Sequence, residues 1–575
     1  MARAEAVAVP RAREERVRQW SARDPLLYVH LAVILLLCGL IVYPAAILLE
    51  RSFRDDGGAF SLMWYVQAYT NERNLSAIVN TIIVASGAAA LAAVSGTLLA
   101  WAVVRTDMPG RRLVEMASIV PFISTSFIGA LAWILLGSPE TGLINQFWRF
   151  LGNTEALIDI YSIEGIIFVI ALYEMPFVFL LVGGALRSMD PALEEASLSA
   201  GAGLWRTTTR VTLPLVLPAI LASSLLVFVL AAEQFGVPAV LGTPARIRVL
   251  TTSIVATNTF YPPQHGLGAA LCVTLLIIAL LGLWLQRRAL AGRSFTTVGG
   301  KGSQPRRIAL GPFRWLLLGI CCAYLLLAVV LPFSTIFLSS IRTLWTADFR
   351  WEQFTLEHYR WILFEYPITV RAIRNSLFLA VVGATVTILL CALISFLSLR
   401  TRLPGRNVLD YLSMLPLGFP GVVLAYGLLQ AWINPPLVLY GTIWILFIAY
   451  MTRYLPIGVR STSATLVQIH PELEESSLAC GASWLQTFKN VTLPLLRPGI
   501  VAGWILLFIA FSRELSASVL LYAPGTEVLS VVLYDLQQNG QFREISALAF
   551  IQIAASIVLV LVAKWLAGLD RTPEA

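Results

Sequence analysis

Five ionisable side chains stand inside or at the edge of strongly apolar stretches of the sequence. They are three glutamates and two arginines: Glu174, Glu233, Arg453, Arg513 and Glu514. An ionised group among apolar neighbours is costly unless it finds a partner, so such residues usually face the inside of a protein and often mark a functional site. Their chemistry is that of a gate, or of the lining of a pathway for a polar or charged solute.

These charges can be arranged in pairs. The chain contains two similar halves, described below, in which Glu233 corresponds to Arg513 and Glu174 lies one position from the counterpart of Arg453. We therefore expect Glu174 to approach Arg453, and Glu233 to approach Arg513, across the boundary between the halves. The alternative is that each charged group extends to a polar surface or bonds to the local backbone.

The sequence offers no other cluster with obvious chemistry. Glu233 and Glu514 carry the oxygen ligands that hard cations such as ferric ion favour, but no clustered Tyr, His or Asp supports them, so we predict no metal site. The 6 cysteines and 4 histidines are scattered, and we expect the cysteines to be small core residues. A phosphate-cradling loop needs Gly, four residues, then Gly-Lys-Ser/Thr. Around Lys301, Phe295 and Gly302 replace the first Gly and the hydroxyl residue, so we expect no bound cofactor and no ATP hydrolysis by this chain.

Each half also carries an acidic segment that predicts a short helix. The segment starts at Asp190 or His470, each followed by Pro, has acidic residues in its first turn, and stops at a Gly. A Leu-Pro pair then opens the next apolar stretch. Such a helix suits docking into a groove on a soluble partner. The residues to which we assign this contact are Glu194, Glu195, Ala196, Gly201, Leu213 and Pro214, and in the second half Glu474, Glu475, Ser476, Gly481, Leu493 and Pro494.

The composition places these residues in an integral membrane protein. Of 575 residues, 58% are hydrophobic and only 13% are charged, whereas ordinary soluble domains carry about 25% charge. The net charge of +8 comes almost entirely from arginine, because Lys301, Lys489 and Lys564 are the only lysines. This pattern predicts no nucleic-acid partner, and membrane lipid is the expected surrounding.

Twelve stretches are long and apolar enough to cross a bilayer, which takes about 20 residues per helix. We expect spans near 27–49, 77–104, 114–137, 164–186, 213–235 and 267–286, and near 315–339, 375–399, 408–432, 440–460, 493–512 and 545–566. Most Lys and Arg residues fall on one side if the N-terminus is cytoplasmic, so both termini are predicted inside. The first stretch is too long for a signal peptide, which predicts a retained span.

The two halves are copies of each other. The segment from Asn80 to the Pro-Gly-Arg at 109–111 recurs 295 residues later, and the segment from 195 to Pro218 recurs 280 residues later. Each copy holds six predicted spans in the same orientation, which predicts a parallel repeat about an axis along the membrane normal. We divide the chain at 1–300 and 301–575, with the polar stretch 291–312 as a cytoplasmic linker.

The acidic segments carry a specific resemblance. Glu-Ala-Ala, three residues, Gly, nine residues, then Ile-x-Leu-Pro is typical of permeases of binding-protein-dependent ABC importers, and both halves are similar to it, with Ser197, Ser476 and Ser477 for Ala and Val211 and Val491 for Ile. The resemblance implies an all-α, twelve-helix type I importer permease fold in the cell inner membrane. It also implies that the repeated loop is a coupling helix for an ATP-binding subunit, present in two copies. A substrate-binding protein would deliver a small solute.

The fused two-copy layout most resembles the ferric-iron and thiamine branch of that family. The segments 233–242 and 513–521 are most similar to those of ferric-iron permeases. The resemblance therefore implies ferric iron as the transported solute, with thiamine, phosphonate or polyamine as alternatives. A secondary transporter driven by an ion gradient is the alternative from a different class, because it shares the number of spans but does not require two matching helices beneath the membrane.

Overall fold

The computed structural model describes residues 25–122, 124–290, 308–346, 350–401, 403–434 and 437–567. Within these ranges the chain is helical, and its few extended contacts are isolated bridges such as the one between Thr106 and Ile308. The arginine-rich tail, most of the predicted linker at 291–312 and the C-terminal end lie outside the described residues. The all-α fold expected from the sequence is confirmed.

Six long helices occur in each half. In the first half they are α1 (Pro25–Ser52), α2 (Glu72–Arg105), α3 (Ser126–Gly137), α4 (Ile163–Ser188), α5 (Leu204–Ala232) and α6 (His265–Leu290). In the second half they are α7 (Phe313–Ser340), α8 (Pro367–Arg400), α9 (Gly421–Trp432), α10 (Ile443–Gln468), α11 (Arg497–Ser512) and α12 (Phe542–Ala567). Single π-helical turns interrupt several of them, for example Cys38–Val42 in α1.

Shorter helices connect these long ones. They are Met63–Thr70, Arg111–Ala117, Leu143–Phe150, Ala192–Ser199 and Leu250–Thr259 in the first half, and Glu357–Arg360, Arg406–Met414, Glu472–Ala479, Trp484–Thr487, Ser518–Leu521 and Leu529–Gln538 in the second.

Eight of the helices are continuous, long and apolar enough to cross a membrane, or up to eleven if each bent pair counts as one span. The bent pairs are Arg111–Phe122 with α3, Arg406–Gly418 with α9, and Trp484–Leu495 with α11. The bend before α9 is 110°. Helix α10 is a continuous helix of 26 residues but is not among these eleven. The chain is thus a multi-span helical protein. Nine of the predicted spans coincide with one helix each, whereas those predicted at 114–137, 408–432 and 493–512 are each broken into a bent pair of helices.

The span predicted at 213–235 begins earlier than expected. Helix α5 starts at Leu204, and Pro214 lies inside it rather than at its first turn. The π-helical turn Thr208–Thr212 comes directly before this proline. Because a π-turn changes the hydrogen-bond register, the helix can continue through a residue that has no N–H to donate.

The repeat is visible in matching contacts. Helices α2, α4 and α5 pack together in the first half, as α8, α10 and α11 do in the second. Asn80 donates its side-chain amide to the carbonyl of Arg248, and its counterpart Asn375 donates to that of Glu527. The predicted duplication of sequence is therefore a duplication of structure.

The two halves exchange their first helices. Helix α1 packs against α9 and Arg406–Met414 of the second half, and α7 packs against α3 and Arg111–Ala117 of the first. Two hydrogen bonds join the halves on the same side: Tyr324 Oη on α7 donates to Leu172 O on α4 (3.1 Å), and Trp345 Nε1 after α7 donates to Leu135 O on α3 (3.1 Å). This reciprocal packing is the contact expected of two parallel copies related by a two-fold axis.

An insertion present only in the first half forms a compact loop between α3 and α4. Its organising residue is Asn145, which is fully buried on Leu143–Phe150. The Asn145 amide donates to Ser138 O (2.9 Å) and Ile158 O (2.7 Å), and its oxygen accepts from the backbone of Leu157 (2.8 Å). The side chain of Asn145 thus provides hydrogen bonds to backbone N–H and C=O groups that have no secondary-structure partner in this irregular loop.

The six cysteines are unpaired. Cys272, Cys321 and Cys391 are buried, as predicted for core residues, whereas Cys322 and Cys480 are exposed. The core prediction is therefore wrong for these two.

Candidate functional site

A cluster of buried and partly buried charges joins the two halves around Arg453 on α10. Its guanidinium contacts Glu514 (Nη1 to Oε1, 2.7 Å) and Glu233 of the first half (Nη2 to Oε1, 3.0 Å). Tyr454 donates its hydroxyl to the other oxygen of Glu514. The side chain of Glu514 is 3% exposed and that of Arg453 is 13% exposed. We call Arg453, Glu233, Glu514 and Tyr454 the arginine cluster.

Gly421, the first residue of α9, makes room for this cluster. Its backbone N–H donates to Glu233 Oε2 (3.2 Å), so that carboxylate sits at the positive end of a helix. A Cβ atom on Gly421 would lie 1.7 Å from Nη1 of Arg453. Only a residue without a side chain leaves space for the guanidinium here.

The other predicted pathway residues lie beside the cluster with different partners. Glu174 accepts a hydrogen bond from Gln234 Nε2 (3.1 Å), which also donates to Ser126 Oγ (2.8 Å). Arg513 donates to the carbonyl of Phe122 (2.7 Å), with its guanidinium 4.7 Å from the centre of the Phe122 ring.

Counterpart residues repeat these contacts in the two halves. Glu174 and Gln234 occupy the positions of Tyr454 and Glu514, and both pairs are hydrogen-bonded. The repeat therefore preserves the hydrogen bond while exchanging the residue types. In the first half the acid is Glu174 on α4, and in the second half it is Glu514, which follows α11.

Glu233 and its counterpart Arg513 each make a hydrogen bond to the backbone of the other half. Glu233 reaches the N–H of Gly421, where α9 of the second half begins. Arg513 reaches the carbonyl of Phe122, just before α3 of the first half. An acid therefore binds a backbone donor on one side of the axis, and a base binds a backbone acceptor on the other. Each contact thus ties the end of α5 or α11 to the break in a span of the other half.

The predicted pairing of these charges is wrong. Arg453 contacts Glu233 rather than Glu174, and among the described residues the only ion pairs in this region are those of the arginine cluster. The counterpart of Glu174 is Tyr454, so Arg453 is displaced by one residue along the helix. One residue rotates a side chain by about 100° around a helix axis. Arg453 therefore faces Glu233 at the end of α5 and not Glu174.

The acidic segments of both halves fold as the sequence predicts. The helices Ala192–Ser199 and Glu472–Ala479 each follow a proline, and the Asp190 carboxylate caps the first by accepting from the N–H of Ala192 (2.9 Å). Gly201 and Gly481 end the two turns with φ of +80° and +89°. The predicted short helices with glycine stops are confirmed.

A buried ion pair anchors each short helix to the long helices. Glu194 contacts Arg105 at the end of α2 (3.5 Å) and accepts from Thr212 Oγ1 (2.6 Å). In the second half Glu474 contacts Arg400 at the end of α8 (3.0 Å) and accepts from Thr492 Oγ1 (2.9 Å). The carboxylates of Glu194 and Glu474 thus face the body of the protein and not the outer surface of the loop.

The outer surface of each loop carries a matching apolar row. In the first half it consists of Leu193, Leu198 and Trp205, and in the second half of their counterparts Leu473, Leu478 and Leu485, all exposed. We call these six residues the loop apolar rows. The remaining predicted contact residues lie nearby: Glu195 and Leu493 are half-buried, and Ala196, Leu213, Pro214, Glu475, Ser476 and Pro494 are exposed.

The sequence located the acidic segments but did not predict which residues Glu194 and Glu474 contact. Arg105 and Arg400 stand at matching positions of the repeat, at the ends of α2 and α8. They are 89 and 74 residues away in the sequence from Glu194 and Glu474, so no local sequence pattern indicates an ion pair. Among the described residues no group of three or more His, Cys, Asp or Glu is placed to hold a metal ion.

Two segments of the chain match one family model, described as binding-protein-dependent transport system inner membrane component. The matches cover residues 85–291 and 392–569, one in each half. The chain belongs to this family. It is thus a multi-span inner-membrane permease of the ABC importer type with two fused copies of the family's unit.

Similar proteins are themselves permeases. Over 557 residues this permease is 27% identical to the ferric transport system permease protein FbpB of Actinobacillus pleuropneumoniae, covering 95% of this chain and 79% of that one. It is 28% identical over 510 residues to a putative ferric transport system permease protein FbpB 1 of Haemophilus influenzae, covering 87% and 78%. A putative 2-aminoethylphosphonate transport system permease protein PhnV of Salmonella choleraesuis is 29% identical over 250 residues, covering 41% of this chain and 89% of that one.

Among solved structures, the crystal structure of a bacterial ABC transporter involved in the import of the acidic polysaccharide alginate aligns with 45% of this chain and 96% of that one. The sequence identity is 21% and the TM-score is 0.35.

Proposed function

We propose that this permease forms the translocation pathway of an importer that takes up ferric iron. In this proposal a binding protein delivers the solute from outside, and two copies of a separate ATP-binding subunit dock on the short helices of the two halves. Twelve spans then form the membrane body, with both termini in the cytoplasm. ATP hydrolysis belongs to the docked subunits, and this chain supplies the solute path.

The paired loops carry this proposal. Each loop holds one short helix by a buried Glu–Arg pair and leaves an apolar row exposed. An anchored helix with an exposed apolar edge is the arrangement that fits a groove on a partner and transmits its movement to the helices behind. Two equivalent loops require two equivalent partners, which favours two ATP-binding subunits over an ion gradient as the source of energy.

We assign the arginine cluster, with Glu174 and Arg513, to the solute pathway or its gate. These residues are buried or partly buried where both halves meet, beside the breaks before α3 and α9. A solute that passes between the halves must separate Glu233 from Arg453 or pass beside them. The cluster therefore closes the path in the arrangement described here.

The ferric-iron assignment comes from the relatives that align with nearly the whole chain, whose names state ferric transport. The phosphonate-transport relatives align with less than half of it. 2-Aminoethylphosphonate is thus the second candidate solute, supported by those shorter matches.

Docking is tested by charging the loop apolar rows. We expect Trp205→Asp combined with its counterpart Leu485→Asp to abolish co-purification of the proposed ATP-binding subunit, because a carboxylate buried in an apolar groove lacks a partner. The control is Phe150→Asp, which places the same charge on an exposed apolar residue of the loop between α3 and α4. Retained co-purification of the double variant would contradict the docking site.

The solute is tested by uptake into proteoliposomes that contain the permease, its ATP-binding subunit and its binding protein. We expect ATP-dependent accumulation of radiolabelled iron supplied as a ferric complex on the binding protein. Uptake of labelled 2-aminoethylphosphonate instead would replace the ferric assignment and leave the importer mechanism intact. Uptake that persists without ATP but follows an ion gradient would overturn both.

A further inference from the structure

A groove between α1 and α9 opens on the side of the molecule where the two halves exchange helices. It measures about 530 Å³ and is lined mostly by apolar residues of α1 (Cys38, Gly39, Val42 and Ala46) and by Leu437. A Cβ atom on Gly39 would meet nothing within 4 Å, so the space beside this residue is open. The groove is therefore open and apolar, as a binding site for a hydrocarbon chain must be.

A polar cavity continues this groove toward the end of α1. It measures about 420 Å³ and shares Tyr43, Ala431 and Asn434 with the groove. Its charged lining comes from the end of α1 and the loop that follows: Glu50, Arg51, Arg54, Asp55 and Asp56. The apolar groove and the charged cavity are thus parts of one continuous depression.

The dimensions match a single lipid molecule in one leaflet. From Cys38 to Ser52, where α1 ends, the helix rises about 21 Å at 1.5 Å per residue. One leaflet with its headgroup region is about 20–22 Å thick, half of a complete bilayer. The apolar part lies toward the middle of the span and the charged part at its end, as in a phospholipid.

The charges of the cavity suit a headgroup that carries both signs. Glu50 and Arg54 neutralise each other at 2.9 Å, and one oxygen of Asp55 accepts from the N–H of Ala59. Among the described residues, Arg51 and Asp56 form no ion pair. The cavity thus offers a guanidinium for a phosphate and a carboxylate for an ammonium group.

We propose that this depression binds one phosphatidylethanolamine molecule, with an acyl chain in the groove and its headgroup between Arg51 and Asp56. The headgroup of phosphatidylglycerol ends in a neutral glycerol and would leave Asp56 without a cation. A choline headgroup has no N–H to donate to the carboxylate. The lipid would stabilise the contact between α1 and α9, and therefore the joint between the two halves.

The test uses the full chain in nanodiscs that contain equal amounts of dioleoyl phosphatidylethanolamine, phosphatidylcholine and phosphatidylglycerol, followed by native mass spectrometry of the released protein. We expect one phosphatidylethanolamine to be retained about tenfold more often than either other lipid, as loss of a charged hydrogen bond implies. Equal retention of the three lipids, or preference for phosphatidylglycerol, would overturn the proposal.

Two variants with matched controls locate the site. Gly39→Leu fills the groove and Arg51→Gln removes the phosphate partner, so each is expected to lower retention about tenfold. Gly319→Leu, on α7 with nothing within 4 Å of its Cβ position, and Arg73→Gln, an exposed arginine at the start of α2, should leave retention unchanged. Each protein is compared after gel filtration has shown it to be folded. Unchanged retention in Arg51→Gln would contradict the headgroup assignment even if Gly39→Leu failed to fold.

Discussion

At the scale of single residues, Arg453 is the side chain that neutralises the carboxylates of the arginine cluster. Two carboxylates from different halves share its guanidinium, and a third neighbour, Gly421, has no side chain. Removing one partner of a buried ion pair leaves an uncompensated charge, which costs more than the pair itself contributes. The cluster is therefore sensitive to substitution in a way that exposed charges are not.

Replacing Arg453 should destabilise the protein strongly. We expect Arg453→Gln to lower the free energy of unfolding by about 3–5 kcal/mol, because Glu233 and Glu514 would face each other in a buried site. Chemical unfolding in mild detergent measures this loss. The control is Arg460→Gln on the same helix, where the arginine is exposed and the loss should stay within about 0.5 kcal/mol. Equal losses for the two variants would show that the cluster contributes no stability.

Gly421→Ala tests the close approach of Arg453. A methyl group at this position must displace the guanidinium from its two carboxylates, at a cost of about 1–3 kcal/mol. In the Arg453→Gln background the cost should fall by more than half, because the two substitutions disturb the same contact. Gly184→Ala, where nothing lies within 4 Å, is the control and should not destabilise. Additive effects would mean that Gly421 acts through the backbone alone.

At the scale of elements, the short helices Ala192–Ser199 and Glu472–Ala479 depend on buried acids that point away from any partner. Glu194 and Glu474 each bind an arginine from the end of α2 or α8 and the threonine that ends the π-helical turn Thr208–Thr212 or Phe488–Thr492. Each acid thereby ties three elements together. Movement of a short helix must then move the ends of two long helices.

Removing the charge of one anchor should loosen its helix. We expect Glu474→Gln to raise amide hydrogen exchange across 472–480 by at least about tenfold, because the buried Arg400 loses its counter-charge and local opening becomes easier. Glu472→Gln on the same helix is the control, since its side chain is 79% exposed. Hydrogen-exchange mass spectrometry compares both with the parent protein. Similar exchange in the two variants would show that the anchor does not hold the helix.

At the scale of the whole molecule, the exchange of first helices makes the halves interdependent. Helix α1 covers α9 and α7 covers α3, so each half leaves an apolar surface open without the other. The sequence boundary at 300 and 301 falls in a stretch outside the described residues, and we keep 1–300 and 301–575 as the predicted units.

Cutting the chain at that boundary should leave a stable complex. We expect fragments 1–300 and 301–575, expressed together with a tag on one of them, to co-purify in equal amounts, because both exchanged contacts remain possible. A first fragment that starts at residue 63 lacks α1 and should recover much less of its partner. If it recovers as much as the longer fragment does, the α1–α9 contact is not what joins the halves.

The sequence alone determined the class of protein, the helical fold and the repeat. Long apolar runs must become helices where the backbone has no water to bond, and matching Pro, Gly and Leu-Pro positions revealed the duplication. The short helices were also predictable, because Asp190-Pro191 and Gly201 act on neighbouring residues through local backbone preferences.

Only the tertiary structure decided which charges meet. Glu233 and Arg453 are far apart in the sequence, and a shift of one residue between the repeats turned Arg453 away from its expected partner. The inward direction of Glu194 and Glu474 was likewise set by Arg105 and Arg400 on other helices. Ion pairs over such distances depend on how whole helices pack and rotate, and no local pattern in the sequence specifies that.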